Sequence, residues 1–223
     1  MIISIVNPKG GVGKSTLAHC LAYSEAVRRR FRRVALIEAD PQGTLAAWAA
    51  EREARGLPAI KHVEFLQLLS ERPAHLAERL RSVKADLIVL DVPGESIPRF
   101  WTRAALELAD RAVIPLRPSA KDEQALEDVL LPVLEAVRAD RRGRPSVFVV
   151  PSFVSPQAVP SNVRDYFGAW LPEYVTVTAP WSLRAGVQEY DRAGETLNEY
   201  AKHVRGMGRA VREVEAIAKA LTK

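Results

Sequence analysis

Residues Asn7-Pro8-Lys9-Gly10-Gly11-Val12-Gly13-Lys14-Ser15-Thr16 put three glycines, two lysines and two hydroxyls into one short stretch. Glycines let successive backbone N–H groups turn inward around phosphate oxygens. A helix that begins at the end of such a loop adds its partial positive charge. Lys14 then reaches the β- and γ-phosphates of a nucleotide, and the Ser15 hydroxyl ligates Mg²⁺. The competing reading is a plain glycine-rich turn. Lys14-Ser15 directly behind Gly13, with an apolar run before and a helical pattern after, tells against it. Two more stretches end apolar runs in carboxylates: Glu38-Ala39-Asp40-Pro41-Gln42-Gly43, and Asp86-Leu87-Ile88-Val89-Leu90-Asp91. In an open parallel sheet, groups that touch ligands collect at that end of the strands.

Those side chains need a scaffold that brings three strand ends together. Ile2 to Asn7 reads as a short strand, Ser15 to about Arg30 as a helix, and Arg33 to Ala39 as a second, buried strand. Helical patterning resumes over 44–55, residues 60–65 carry a weak strand signal, and 73–84 reads as a helix before the strand 86–91. A helix near 98–108 leads to a strand at 112–116, then a long helix over 121–139 and a strand at 146–150. Residues 157–171 have no decisive pattern, Tyr174 to Thr178 alternates as a last strand, and helices near 183–192 and 197–221 close the chain. Strands alternating with helices mean βαβ units: an α/β fold with a mostly parallel twisted sheet and helices on both faces. No repeat, linker or low-complexity stretch divides the chain, so one domain over 1–223 is expected. The 48% hydrophobic and 26% charged residues fit a folded globule. The single cysteine, Cys20, can form neither an internal disulfide nor a metal cluster, which points to a reducing cytosol. No apolar run approaches the length needed to span a bilayer, and the short apolar start lacks the basic region of a signal peptide.

In the usual phosphate loop the first glycine stands where this chain has Pro8, and here an extra lysine, Lys9, precedes Gly10-Gly11. This variant resembles the deviant Walker A loop of the ParA/MinD family of P-loop NTPases, closest to the small plasmid-partition ParA proteins. The resemblance implies ATP and Mg²⁺ as ligands, with the loop Lys9–Thr16 around the phosphates. It implies that Lys9 crosses a dimer interface to the partner's phosphates, an in-trans cation for charge developing on the transferred phosphoryl group. Glu38–Gly43 resembles the family's switch I, which makes Asp40 the carboxylate that orients or deprotonates the attacking water and, with Ser15 and Asp91, a residue of the metal site. The family usually has aspartate where this chain has Glu38. Asp86–Asp91 resembles Walker B, with Asp91 holding Mg²⁺, and Val92-Pro93-Gly94 stands in the place of switch II, Gly94 supplying mobility. Ile114-Pro115-Leu116-Arg117-Pro118-Ser119-Ala120-Lys121-Asp122 looks like the family's proline-containing segment near the dimer interface. That implies Asp122 facing the partner, although a proline-punctuated turn accounts for it as well. The strand ending near Pro151 leads into adenine contacts in the family. Val150-Pro151-Ser152 offers no base-specific side chain, so backbone contacts are expected there.

The net charge of +5 permits a polyanion partner without establishing one. Arg28-Arg29-Arg30-Phe31-Arg32-Arg33 reads first as a solvated face at a helix C-terminus, opposite the nucleotide edge. In the last helix Lys202, Arg205, Arg209, Arg212 and Lys219 fall within one arc at helical spacing. Tyr200, Val204, Met207, Val211, Val214, Ala218 and Leu221 fall opposite and would pack. Relatives in the family bind DNA without sequence preference through C-terminal basic residues, so this stripe is the candidate DNA surface, with salt-sensitive phosphate contacts. Its apolar side, mostly Val, Ala and Tyr, lacks the bulky residues of a membrane-seeking helix.

These readings converge on a cytoplasmic, nucleoid-associated partition or positioning ATPase. ATP is expected to build a sandwich homodimer that holds nonspecific DNA, and hydrolysis, stimulated by a ParB-like or other adaptor, to dissolve it. The cargo would be plasmid or chromosome DNA or a protein assembly, with no membrane partner. The alternatives are a metabolic P-loop ATP-dependent ligase related to dethiobiotin synthetase, which needs a second acid–base set that is not evident, and a MinD-like membrane-associated ATPase. A cluster-binding relative of the iron proteins is excluded by the lack of further cysteines.

Overall fold

A computed structural model describes residues 1–68, 73–94, 100–155, 157–158, 160–182 and 185–223. Its strands are β1 (Ile2–Ile5), β2 (Val34–Glu38), β3 (Val63–Gln67), β4 (Leu87–Asp91), β5 (Arg111–Leu116), β6 (Ser146–Val154), β7 (Val175–Val177) and β8 (Trp181–Ser182). They lie in the order β3-β2-β4-β1-β5-β6-β7, all pairings parallel, with β8 pairing the last residues of β6. Every residue of β2 and β4 is buried, as expected of inner strands covered on both faces. The register sets the site. Ile5 is level with Asp91 on one side and Val113 on the other, and Glu38 is level with Asp91. The loop after β1 and the carboxylates of β2 and β4 therefore emerge at one edge.

The helices are α1 (Lys14–Ala22), α2 (Glu25–Arg30), α3 (Thr44–Ala54), α4 (Pro73–Ser82), α5 (Phe100–Leu108), α6 (Ala120–Ala125), α7 (Leu131–Asp140), α8 (Pro160–Gly168), α9 (Leu197–Tyr200) and α10 (Gly208–Leu221). Strand alternation divides the core. Ile3, Ile5, Leu36 and Val89 meet Leu17, Leu21, Trp48 and Val214 on one face, while Ala35, Ile37, Leu90 and Ile114 meet Leu106, Leu130, Leu134 and Phe167 on the other. No helix among the described residues is long and apolar enough to cross a membrane.

Several boundaries differ from the sequence reading, each for a local reason. The helix expected over 15–30 stops at Ala22 and restarts at Glu25. Ser24 Oγ accepts from the Val27 N–H at 3.3 Å, and the Glu215 carboxylate of α10 accepts from the Glu25 and Ala26 N–H at 2.7 and 2.9 Å. The long helix over 121–139 forms as α6 and α7 joined by a π-helical turn, Leu126–Leu130. Pro132 follows, with no N–H to donate and a ring that crowds the carbonyl four residues back. The strand expected to end at 150 runs on to Val154 and gains β8, which is too short to show a period. Residues 160–168, left undecided, form α8. The helix expected near 183–192 is reduced to 3₁₀ turns at Ala185–Gln188 and Asp191–Ala193, with 183–184 outside the described residues. Residues 98 and 99 of the helix expected near 98–108 also lie outside them. The helix expected over 197–221 is two helices separated by turns, with Gly206 at φ 89°.

Candidate functional site

The loop between β1 and α1 is held from both sides. Asn7 is buried; its Nδ2 donates to Pro115 O at 2.8 Å, and its Oδ1 accepts from Lys9 N at 2.8 Å. Gly13 starts α1 in the left-handed region, φ 92°, where a Cβ would also press within 3.1 Å of the Trp181 ring. Both facts require glycine there. The resulting cleft, about 240 Å³, is lined by Gly10, Gly11, Gly13, Lys14, Ser15, Thr16, Asp40, Gln42, Thr44 and Gly94. Val12 is buried beneath it, and its carbonyl accepts from Ser152 Oγ at 3.1 Å. Lys14 is buried along the loop, its Nζ donating to Lys9 O at 2.8 Å. Burial lowers its pKa, with Asp91 and Asp40 pulling it back up. Gly94 sits so close that a Cβ would fall 3.0 Å from Lys14 Nζ and 3.2 Å from the Lys9 backbone. Position 94 thus favours glycine for its close approach to the loop.

Three carboxylates face this edge, each in a different state. Asp91 is fully buried, and neither oxygen makes a hydrogen bond of good geometry, the Ser15 hydroxyl being its one nearby donor besides Lys14. Burial pushes its pKa up to about 7. The nearby Ser15 hydroxyl and the Lys14 charge oppose that, while Asp40 and Glu38 add to it. Buried acceptors without a well-formed hydrogen bond, beside a lysine and a hydroxyl, have the chemistry of an Mg²⁺ position, so the residues present fit that ion. Asp40 is half-buried in the cleft wall, with Oδ1 accepting from Gln42 N at 2.9 Å. It lines the same cleft as Lys14 and Ser15.

Glu38 does something the sequence did not suggest. It is fully buried and accepts from the Leu45 and Ala46 N–H at 2.7 and 3.1 Å and from Gln67 Nε2 at 3.2 Å. The longer side chain in place of the usual aspartate reaches the free amides at the start of α3, where a carboxylate also meets the positive end of the helix dipole. Burial still outweighs these hydrogen bonds and leaves its pKa raised.

Lys9 does not line the cleft. Its Nζ donates to Lys121 O at 2.5 Å and to Asp122 Oδ1 at 2.9 Å. Asp122, expected to face a partner, is instead buried within its own chain, where Arg117 Nε meets Oδ2 at 2.5 Å. Burial raises the Asp122 carboxyl, but hydrogen bonds from Arg117 and Lys9 win and bring it below the usual range. In the sequence Arg117 gives only one signal, a cation standing just past the end of an apolar strand. Pro151 is buried inside β6 opposite Leu116 and is not among the residues lining the phosphate cleft. Past it, Phe153 holds φ 53° and stacks on Trp181 with 6.1 Å between ring centroids.

The basic stripe is corrected in its geometry. Lys202, Arg205, Arg209, Arg212 and Lys219 are all exposed. Lys202 and Arg205, however, sit in the turns between α9 and α10, so helical spacing cannot align them with the rest. Gly206 resets the chain direction. Arg209 is paired with Glu213 at 3.1 Å. Lys219 lies about 15 Å further along α10 from Arg209. That end is the one opposite the cleft: Arg30 donates to Lys223 O at 3.1 Å, and Arg111 donates to Leu221 O. The apolar side of α10 is in the core, with Val214, Ile217, Ala218 and Leu221 buried.

The family described as CobQ/CobB/MinD/ParA nucleotide binding domain matches residues 3–221. The chain is 36% identical over 122 residues to the maintenance of carboxysome distribution protein A of Gloeobacter kilaueensis, covering 54% of this chain and 51% of that protein. It is 34% identical over 162 residues to the chromosome-partitioning ATPase Soj of Thermus thermophilus, covering 61% of this chain and 62% of that one. The matches thus span about half to three-fifths of these curated relatives. Among solved structures, an ATP complex of a Cyanothece McdA variant superposes with a TM-score of 0.74 at 16% identity, over 99% of this chain and 95% of that chain, a likeness of fold.

Proposed function

The chain belongs to the CobQ/CobB/MinD/ParA nucleotide-binding family, and from that premise we propose that it is an Mg²⁺-dependent ATPase of the partition or positioning kind, dimerising around ATP. The observation that carries this reading is the buried Asp91 carboxylate beside Lys14 and Ser15, two residues that line the phosphate cleft. Ser15 and Asp91 are the groups that would hold Mg²⁺, which would neutralise phosphate charge. The inward backbone N–H groups of Gly10 to Thr16 and the start of α1 would bind the phosphate oxygens. Lys14, already desolvated, would exchange its bond to Lys9 O for the β- and γ-phosphates. Asp40 would hold the attacking water and take its proton. Lys9 would leave Asp122 and reach the partner's phosphates, the step that ties catalysis to dimerisation.

For the cargo surface we favour nonspecific DNA on the exposed cations toward the cleft end of α10: Lys202 and Arg205 in the turns, with Arg209 and Arg212 at the start of the helix. Two such patches held rigidly in a dimer bind far better than one. Because α10 buries its apolar side in the core, it is poorly suited to lie on a membrane. An adaptor of the ParB kind would stimulate hydrolysis, and nucleoid association would follow from the DNA contacts. The test is size-exclusion chromatography with and without Mg·ATP, repeated with added nonspecific duplex DNA. The reading requires an ATP-dependent dimer that co-elutes with DNA at low salt. A monomer under all conditions would overturn it.

A further inference from the structure

We propose that Arg117 is the positioning residue that allows Lys9 to leave its own subunit; this rests on the reading that Lys9 acts across a dimer. The Asp122 side chain is 2% exposed and holds two cations at once. Lys9 Nζ is 2.9 Å from Oδ1, Arg117 Nε is 2.5 Å from Oδ2, and Arg117 Nη2 reaches Oδ1 at 3.3 Å. Were Lys9 the sole partner, its departure would strand a buried carboxylate, the strongly unfavourable way to break an ion pair. Arg117 removes that obstacle. Its planar fork already has an N–H on each oxygen, so it can close into a bidentate pair when Lys9 goes. The two cations also repel each other across one carboxylate, which loosens the hold on Lys9.

The framework around the cluster suits such an exchange. Arg117 directly follows β5. Asp122 is fixed by the cap of α6, with its N–H on Ser119 Oγ at 3.3 Å. The Lys9 side chain extends from the glycine-rich loop and is 31% exposed, and that of Arg117 is 40% exposed. Asp122 is thus the fixed member, and the two cations differ in their hold on it: Arg117 has two N–H contacts to the carboxylate and Lys9 one. In the resting chain the three side chains sum to one positive charge; after exchange a neutral Arg117–Asp122 pair remains, and the cation is delivered to the neighbouring subunit.

The experiment compares self-association of the full chain by light scattering across a concentration series, with a non-hydrolysable ATP analogue and Mg²⁺. Arg117→Ala should require at least about tenfold more protein to dimerise than the parent. Arg117→Lys should recover part of that. Asp122→Asn added to Arg117→Ala should restore dimerisation, because no carboxylate is then left to strand; a residue that merely stabilised the loop would give no such rescue. Nucleotide affinity of the monomeric variants is measured alongside. Parental dimerisation by Arg117→Ala, failure of Asp122→Asn to rescue, or loss of monomer nucleotide affinity in Arg117→Ala would each overturn the proposal. If Lys9→Ala dimerises as the parent does, the trans reading of Lys9 falls and this inference with it. If Lys9→Ala fails to dimerise while Arg117→Ala succeeds, only the exchange is wrong.

Discussion

The phosphate cleft and the C-terminal basic segment were both read from residue spacing, and the structure treats them differently. In the cleft, seven of the expected groups line one space of about 240 Å³ (Gly10, Gly11, Gly13, Lys14, Ser15, Thr16 and Asp40). In the C-terminal segment the five cations are exposed, yet they do not form the single arc that helical spacing implied. The cleft motif is contiguous in sequence and sits where strand and helix must meet, so its geometry follows locally. The stripe relied on a helical period carried unbroken from Lys202 to Lys219, and the turns over 201–207, with Gly206 in the left-handed region, break it.

Breaking the cleft should produce the largest effects. Lys14→Ala removes a charge-assisted phosphate contact and should weaken Mg·ATP binding by about tenfold to a hundredfold, read by calorimetry; parental affinity would remove Lys14 from the site. Asp40→Ala should bind ATP normally and slow turnover by about a hundredfold or more, accumulating an ATP dimer on a sizing column. Turnover at the parental rate would exclude Asp40 as the group that holds water.

Asp91 provides a pH test. Its folded pKa of about 7 lies above the ordinary aspartate value of 3.8, so between the two the native state binds more protons than the unfolded chain. Its contribution to stability is therefore fully present below about pH 4 and is lost as pH rises through 7. Asp91→Asn, which cannot ionise, should be more stable than the parent at pH 8 by a few kcal/mol, on the order of two to four. That advantage should shrink toward pH 5, as measured by urea unfolding without nucleotide or Mg²⁺. A constant difference across pH would mean that Asp91 is not buried as described.

The basic segment comes next in size. Arg205→Glu with Arg212→Glu should reduce DNA affinity by at least about tenfold and flatten its salt dependence, while Lys219→Glu, at the far end of α10, should do little. An equal loss from Lys219→Glu would restore the single-stripe picture. The same reversal at Arg29 and Arg30 should also be mild, since Glu25 already pairs with Arg29 and Arg30 donates to the Lys223 carbonyl. The smallest effect is expected at Glu38. Glu38→Asp should lose the reach to the α3 amides and cost about 1–2 kcal/mol in urea unfolding. An unchanged midpoint would mean the start of α3 does not depend on that carboxylate.

By itself the sequence determined the sheet with its two helical layers and the phosphate loop, because alternation of strand and helix and the glycine–lysine spacing are local properties of the chain. It also placed Asp40 and Asp91 at strand ends, since a carboxylate closing an apolar run has nowhere else to go. The tertiary structure decided what each carboxylate does there. Asp91 faces only Ser15 and Lys14, with no hydrogen bond of good geometry, while Glu38 reaches across to α3, and no property of residues 38 or 91 alone distinguishes those outcomes. It also decided where Lys9 rests. Its partner Asp122 is 113 positions away, brought close only because β1 and β5 are neighbours in the sheet. Long-range pairing of this kind depends on which strands adjoin, and strand order is fixed by the packing of the whole core, which no local period records.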